Sequence, residues 1–322
     1  MNEKKFIVEY KNQLYDITKF LSKHPGGVNT LIGYNRRNIE EKFLNVEHSP
    51  AAEYLLKDYR VKSDNQNFIS DESLEVSQRY EVYHINWNAA LLPQINQLGD
   101  KYSEWVNKPI DRKLRLFKNP LLETLSKTPW YLPLIFWTPI IVFLITNEFI
   151  RSPTATSFMF FLNLFSGVVL WTLVEYILHR FLFHMTVQNY PNLVKIHFML
   201  HGLHHKVPFD EQRLVFPPVP AAILSILLYQ PIVLLNHFCG GNFYNSRLIL
   251  AGGLIGYLCY DMIHFYIHHG SPTNKYFYHL KRYHYNHHFV NHDKGFGISS
   301  PLWDGIFGTK LFLKKLKYLL KW

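Results

Sequence analysis

Residues 152–184 read SPTATSFMFFLNLFSGVVLWTLVEYILHRFLFH, and this stretch decides the fold class of the chain. Its first part, 152–174, contains no charged side chain and is longer than the roughly 20 apolar residues that a helix needs to cross a bilayer. The stretch ends with two histidines, His179 and His184. Ionisable side chains at membrane depth usually mark a functional site. The stretch therefore predicts a membrane-spanning helix that carries part of a site at its end.

Three further stretches are similarly apolar, at 130–146, 214–238 and 248–267. The 214–238 stretch contains four prolines, and the 248–267 stretch is interrupted only by Asp261 and His264. Together with the first stretch they predict an all-α integral membrane domain with about four transmembrane helices. Buried core helices of a large soluble protein are the alternative. The length of these stretches and their lack of charge argue against it.

The distribution of basic residues predicts how the chain is oriented. The formal net charge is +10, which favours either nucleic acid or an anionic membrane surface as a partner. No zinc finger or basic heptad region is recognisable, so we expect no nucleic-acid partner. Lys and Arg are concentrated before the first apolar stretch, between the second and third, and after the fourth. Because cytosolic segments are rich in Lys and Arg, we predict that both termini and the central connection are cytosolic.

Ten of the 18 histidines fall into four clusters with regular spacing. Spacings of three and four place side chains on one face of a helix. The spacing of five in the first cluster does not align on a straight helix, and predicts a helix end or a bend. The clusters are His179 and His184; His201, His204 and His205; His264 and His268; and His284, His287 and His288.

All four clusters are expected on the cytosolic side of the membrane, where they can converge into one cap. Ten imidazole nitrogens can hold two metal ions and leave coordination positions for oxygen or water. Glu175 and Asp261 precede predicted ligands by three or four residues, and are candidate acceptors that would orient a ligand imidazole. Helix capping or solvation remains an alternative for Glu175. A metalloprotease is not indicated, because the chain contains no HExxH.

The first 65 residues have a different character. FIVEY at 6–10 and LYDIT at 14–18 are strand-like runs on either side of a turn candidate, and predict a small α+β module. His24 opens His-Pro-Gly-Gly, and His48 follows in the run FLNVEHS. Two imidazoles can bind haem iron from opposite faces, which leaves no position for oxygen. These motifs resemble the cytochrome b5 domain, and the resemblance implies haem b held by His24 and His48.

Three regions follow from these patterns. We predict a cytochrome b5-like haem domain at 1–65, a linker with membrane-proximal segments at 66–128, and the transmembrane domain that carries the histidine clusters at 129–322. Within the middle region, the polar stretch 62–75 is typical of a linker, and 84–128 is predicted to be helical.

The histidine motifs HxxxxH, HxxHH, HxxxH and HxxHH resemble those of the fatty acid hydroxylase superfamily of integral membrane proteins. Further marks are similar to its fatty acid 2-hydroxylase branch: the fused b5-like module and the motifs KYSEWV at 101–106, DMIH at 261–264 and GFGIS at 295–299. The resemblance implies 2-hydroxylation of long-chain fatty acyl groups used for ceramides and other sphingolipids. It also implies residence in the endoplasmic reticulum membrane.

The resemblance further implies the partners of the reaction. Electrons would enter the b5 haem from a cytochrome b5 reductase and pass to the two-metal site, where O2 is consumed. Iron is the expected redox-active metal, and zinc also suits an all-histidine site and can occupy it. The alternatives are a sterol methyl oxidase or an acyl desaturase with the same ligands. A membrane-bound b5 electron carrier without chemistry of its own would leave the ten clustered histidines unexplained.

Overall fold

The computed structural model describes residues 5–61, 83–151, 157–187, 190–238 and 245–313. The predicted linker at 62–75 and the boundary predicted after residue 65 lie outside these ranges, as does the end of the basic tail.

The N-terminal module is α+β, as predicted. Strands β1 (Ile7–Tyr10) and β2 (Gln13–Asp16) form an antiparallel hairpin. Lys11 and Asn12 make the turn with positive φ angles of 48° and 57°, which is the geometry of a two-residue hairpin loop. Short helical segments follow, and they pack on one face of the hairpin. Their bounds are Thr18–Phe20, Val28–Thr30, Ile32–Tyr34, Glu40–Asn45, Pro50–Leu56 and Lys57–Tyr59.

The region 84–128 is mostly not helical, so that prediction was wrong. It contains a 3₁₀ segment at Ile95–Lys101 and two short α-helices, Tyr102–Val106 and Pro120–Leu125. Prolines at positions 93, 109 and 120 explain the interruptions, since proline disfavours helix before it and lacks a backbone donor. The segment between the two α-helices has no regular secondary structure.

Four helices are long and apolar enough to cross a membrane, and the chain is a multi-pass membrane protein. We refer to them in chain order as the first to fourth spanning helices: Leu132–Arg151, Phe158–Phe183, Pro218–Phe238 and Ser246–His269. The fourth is half buried, whereas the other three are mostly exposed. The fourth spanning helix is therefore the centre of the bundle, and the other three present apolar side chains to lipid.

Shorter helices build the cap beside the bundle. Their bounds are Pro191–His197, Phe198–Gly202, Leu203–Lys206, Lys275–Phe289 and Leu302–Ile306. The helix Lys275–Phe289 begins where the Asn274 side chain accepts a hydrogen bond from the Tyr276 backbone. Asn245 caps the fourth spanning helix in the same way. These caps determine where the two helices start, and therefore where along each helix axis the histidines lie.

The second and fourth spanning helices approach each other closely at glycine. A β-carbon added to Gly167 would lie 2.1 Å from the Ile249 carbonyl oxygen, and one added to Gly252 would lie 2.0 Å from the Leu164 carbonyl oxygen. Small residues allow such backbone contact between membrane helices. The crossing therefore sets the two histidine-bearing ends side by side.

The opposite ends of the spanning helices are joined by polar contacts. Glu148 on the first helix pairs with Arg247 on the fourth at 2.7 Å, and accepts a hydrogen bond from Asn245 at 2.7 Å. Asn163 on the second helix accepts from the Asn245 backbone at 3.0 Å. These contacts join three of the four helices at the end that is remote from the histidines.

The glycine crossing yields a stability prediction. Gly252→Ala should destabilise the protein by about 1–3 kcal/mol, because a methyl group at this position forces two backbones apart. Gly253→Ala is the matched control, since a β-carbon there would meet only one atom, at 3.9 Å. Thermal unfolding in detergent should show a lower Tm for Gly252→Ala than for Gly253→Ala. Equal Tm values would contradict the proposed role of the close contact.

Candidate metal centre

The structure brings all ten clustered histidines together and divides them into two groups of five. Within each group, ligand atoms of all members lie within 4.8 Å of one another. The first group is His179, His184, His201, His205 and His287, and the second is His204, His264, His268, His284 and His288. Nine of the ten side chains are buried. The groups do not follow the sequence clusters, because both HxxHH motifs contribute to both groups.

A π-helical turn explains how His179 and His184, which are five residues apart, can lie on the same side of a helix. Leu178–Phe183 continues the second spanning helix with the wider π geometry, and the His184 backbone donates to the His179 carbonyl at 3.1 Å. This i to i+5 bond sets the two residues one above the other, with ring centroids 5.0 Å apart. The prediction of a helix end or bend is therefore confirmed as a π-turn. A second π-turn, Phe198–Gly202, contains His201, the first residue of the next cluster.

The short distances between imidazole nitrogens are those expected of ligands that bind the same metal ion. Nε2 of His284 lies 3.0 Å from that of His264, and 2.9 Å from those of His268 and His288. One ring nitrogen carries either a proton or a lone pair, so no choice of tautomers turns three such contacts into hydrogen bonds. Imidazole nitrogens that bind one ion at about 2.0–2.1 Å cannot lie more than about 4.2 Å apart, and these contacts are well within that limit. The converging lone pairs therefore match a cation between them.

The first group shows the same short distances between imidazole nitrogens. Nε2 of His201 lies 3.0 Å from that of His179 and 3.1 Å from that of His205. Nε2 of His184 and His287 are buried with no hydrogen-bond partner among the described residues. A buried nitrogen without a partner costs about 1–3 kcal/mol, and coordination to a metal removes that cost.

The protonation state of these rings also suits metal binding. Burial, with repulsion from neighbouring imidazoles, holds the pKa values of His201, His204 and His205 well below the usual range. The pKa values of His284 and His288 are lowered for the same reasons. The neutral imidazole is the form that binds a metal. An all-nitrogen donor set suits zinc or iron better than magnesium or calcium.

Backbone carbonyls fix the orientation of two ligand rings. Nδ1 of His179 donates to the Phe296 carbonyl at 2.6 Å, and Nδ1 of His287 donates to the Lys294 carbonyl at 2.8 Å. Each bond holds the proton on Nδ1 and leaves Nε2 free for a metal. Sequence reasoning missed both acceptors, because a main-chain carbonyl leaves no trace in residue identity. The only signal was the GFGIS motif, within which Phe296 lies.

Glu175 and Asp261 do not bind a ligand imidazole, so that prediction was wrong. Glu175 accepts from the backbones of Ile298 and Ser299 at 2.6 and 2.8 Å, and from the Ser299 hydroxyl at 2.5 Å. Asp261 accepts from the Phe216 backbone at 3.2 Å and from Tyr257 at 3.4 Å. Each carboxylate instead accepts hydrogen bonds from the backbone of a neighbouring segment and from a hydroxyl group.

Glu175 nevertheless acts on the site through the loop 296–299. Asp304, which is fully buried, accepts from the backbones of Phe296 and Gly297 at 2.9 and 2.8 Å. The two carboxylates hold opposite ends of this loop, and the loop presents the carbonyl that orients His179. They are positioning residues one step removed from the imidazole.

Lys206 is a second feature that the sequence did not reveal. Its side chain is fully buried, and its ammonium donates to the carbonyls of Trp105 and Lys108 at 2.9 and 2.5 Å. It also lies 4.5 Å from the centre of the Trp105 ring, within range of a cation–π interaction. The Tyr102 hydroxyl contacts Nδ1 of His197 at 2.6 Å. The KYSEWV motif therefore supports the helix that carries His201, His204 and His205.

The two histidines of the N-terminal module face each other. The ring centroids of His24 and His48 are 6.3 Å apart, and the rings are inclined by 30°. Nδ1 of His48 donates to the Phe43 carbonyl at 2.9 Å, and Nδ1 of His24 lies 3.3 Å from the Gly27 carbonyl. Both Nε2 atoms are thereby kept as acceptors. Burial lowers the pKa of His24 to about 4, so the ring is neutral. These features fit two axial ligands of one haem iron.

Known protein families match both the part of the chain with the clustered histidines and the N-terminal module. A family described as fatty acid hydroxylase matches residues 164–309, and one described as cytochrome b5-like heme/steroid binding domain matches residues 2–63. Fatty acid 2-hydroxylase of Mus musculus is 38% identical over 92% of this chain and 88% of its own length. Dihydroceramide fatty acyl 2-hydroxylase FAH2 of Arabidopsis thaliana is 41% identical over 71% of this chain and 94% of its own.

A solved structure extends the likeness to the fold. The hydroxylase domain of full-length scs7p superimposes with a TM-score of 0.64 at 35% identity, over 73% of this chain and 89% of that one. All four histidine clusters fall within the matched family region, so the fold and the centre are those of a membrane-bound fatty acid hydroxylase. Because the similarity also covers the b5-like module, the chain belongs to the fatty acid 2-hydroxylase family.

The loop that orients His179 gives a prediction about metal retention. Asp304→Ala frees the backbones of Phe296 and Gly297, so His179 should lose its fixed orientation. Residues that orient a metal ligand typically change affinity by about 10–100-fold. Metal loss to a chelator, followed by elemental analysis, should be faster in this variant. Asp293→Ala is the control, because Asp293 is exposed; if both variants retain metal like the unmodified protein, the positioning role of the loop is wrong.

Proposed function

We propose that this protein hydroxylates C2 of long-chain fatty acyl groups that are used for 2-hydroxy sphingolipids and ceramides. The observation that carries the proposal is the pair of five-histidine groups at the ends of apolar spanning helices. The curated relatives with this architecture are named as fatty acid or dihydroceramide 2-hydroxylases, which favours this reaction over sterol methyl oxidation or desaturation.

The residue roles are part of the proposal. His24 and His48 would hold haem b, and the two five-histidine groups would each hold one metal ion, with iron as the redox-active form. When bound, the metal pair supplies reductive activation of O2. The protein contributes neutral, preoriented imidazoles and a buried environment that excludes water from the centre.

The substrate is proposed to reach the centre from the bilayer. A cavity of about 40 Å³ lies between the second, third and fourth spanning helices, lined by Trp171, Phe183, Phe216 and Tyr260 among others. The Tyr260 ring stacks on His264 with centroids 5.8 Å apart, so the cavity adjoins the second histidine group. The cavity is lined mainly by apolar and aromatic side chains, which suits part of an acyl chain that enters from the surrounding lipid.

We further propose residence in the endoplasmic reticulum membrane, with both termini and the metal centre on the cytosolic side. The Lys and Arg distribution supports this orientation. O2 is the proposed co-substrate, and a cytochrome b5 reductase is the proposed electron source. These partners follow from the chemistry, because C–H hydroxylation by O2 needs two electrons and the haem module is suited to carrying them.

The metal ligands are tested by His204→Ala. The variant removes one imidazole from the second group, so 2-hydroxylated product should disappear and metal content should fall. The measurement is lipid mass spectrometry of cells that express the chain, with elemental analysis of the purified protein. His279→Ala is the matched control, since His279 is exposed and belongs to neither group. Full 2-hydroxylation by His204→Ala would refute the proposed centre.

Electron supply is tested separately by His48→Ala. Loss of one axial ligand should abolish the low-spin haem spectrum and lower turnover, while the membrane metals stay bound. A separate cytochrome b5 in excess should restore part of the product. If His48→Ala retains full activity without any added electron carrier, the haem module does not supply the electrons.

A further inference from the structure

The b5-like module rests on the histidine cap through a packed apolar contact. Leu55 of the module and Phe209 and Tyr285 of the cap are buried together. Phe20 and Tyr59 of the module pack against the same cluster. Burial of aromatic side chains from both partners is typical of a specific interface.

Polar contacts surround this apolar centre. The Tyr59 hydroxyl donates to Asp111 at 2.6 Å, and the Lys23 ammonium lies 3.4 Å from the same carboxylate. Asp58 accepts from the Asp111 backbone at 2.8 Å and pairs with Arg112 at 2.7 Å.

A second polar contact lies beside the haem crevice. The Ser22 carbonyl accepts from the Ser271 hydroxyl at 3.1 Å and from the Lys281 ammonium at 3.3 Å. Ser22 is two residues from His24, and Lys281 is on the helix that carries three metal-site histidines. These contacts fix the haem-ligand side of the module toward the metal centre.

Three successive ring contacts connect the two sites. The Phe20 ring lies edge-on to His24 with centroids 5.9 Å apart. Phe20 also lies edge-on to Phe209, again at 5.9 Å. Phe209 lies edge-on to His268 of the second metal group at 6.4 Å. Two phenylalanine side chains therefore bridge a proposed haem ligand and a proposed metal ligand.

We propose that the b5-like module docks on its own cap in this one orientation, and that Phe20 and Phe209 form the electron-transfer contact to the second histidine group. The inference rests on the proposed function of the haem module. Each transfer would oxidise one ferrous haem held by His24 and His48 to ferric and reduce one ferric ion held by the second histidine group to ferrous, with no bond or proton moved. The electrons would be supplied to the haem by a reduced nicotinamide cofactor through a cytochrome b5 reductase.

Docking within one chain has a kinetic consequence. A tethered module is present at a high effective concentration near its binding face, whereas a separate carrier must find the face by diffusion. Oxidation of the reduced haem by the metal centre should therefore be first order, with a rate constant that does not change with protein concentration.

The ion pair between Lys23 and Asp111 can be reversed to test the docking. Asp111→Lys places a second cation against Lys23 and removes the acceptor of Tyr59, so the module should undock. Lys23→Glu combined with Asp111→Lys restores opposite charges across the same contact. Asp100→Lys is the control, because Asp100 is exposed and makes no ion pair among the described residues.

The full-length holoprotein, with its haem chemically reduced, is mixed rapidly with O2 and a dihydroceramide in detergent, and haem absorbance is followed. In Asp111→Lys, the smaller docked fraction should lower the rate constant of haem oxidation about tenfold or more, at unchanged haem spectrum and metal content. The double variant should recover most of the rate constant, and Asp100→Lys should match the unmodified chain. An unchanged rate constant in Asp111→Lys, or a rate constant that rises with protein concentration in the unmodified chain, would overturn the docking proposal.

The ring contact is tested by a second pair of variants. Phe209→Leu leaves a gap between Phe20 and His268 and should slow haem oxidation. Phe289→Leu alters a ring of the same cluster that lies outside the line from Phe20 to His268, and should not. If both variants oxidise haem at the same rate, Phe209 is not the contact. These outcomes are distinct from full activity of His48→Ala, which would remove the electron-supply function itself.

Discussion

The structure depends on one constraint: ten imidazoles, nine of them buried, converge in two small groups, and their ring nitrogens point at one another. In the absence of a cation this arrangement is unfavourable, since a buried ring nitrogen without a partner costs about 1–3 kcal/mol. Protonation gives no relief, because burial keeps the pKa values of the cap histidines low. Folding of the cap and binding of metal are therefore one linked equilibrium. The contacts of the glycine crossing and of the 296–299 loop serve to hold this arrangement in place.

The division of the histidines between the two groups would couple two bound ions to each other. In HGLHH, His201 and His205 belong to the first group and His204 to the second. In HYNHH, His287 belongs to the first group, while its neighbour His288 belongs to the second. A helix that moved to suit one bound ion would also move ligands of the other. Helix geometry would therefore set the separation of the two groups and of any ions that they hold.

Sequence patterns predicted the features that depend on residue type and period: the four spanning helices, the N-terminal hairpin and the convergence of the ten histidines. They did not predict features that depend on the main chain. The π-turn at Leu178–Phe183 and the carbonyls of Lys294 and Phe296 have no side-chain signature. The partners of Glu175 were predicted wrongly for a related reason. Spacing along a helix shows which imidazole is close to Glu175 in sequence. The loop whose backbone binds the Glu175 carboxylate instead lies more than 100 residues further along the chain.

The segment before the membrane, which we predicted to be helical, is irregular, and this conformation explains how the module and the cap are joined. In a segment without regular secondary structure, the backbone donors are not used within the segment, so they can bond to two different neighbours. The Ile110 backbone donates to the Lys206 carbonyl of the cap at 2.9 Å, and the Asp111 backbone donates to Asp58 of the module at 2.8 Å. A helix would satisfy these donors internally and would present neither. The irregular conformation is therefore what allows this segment to lie between the electron carrier and the metal centre and to bind both.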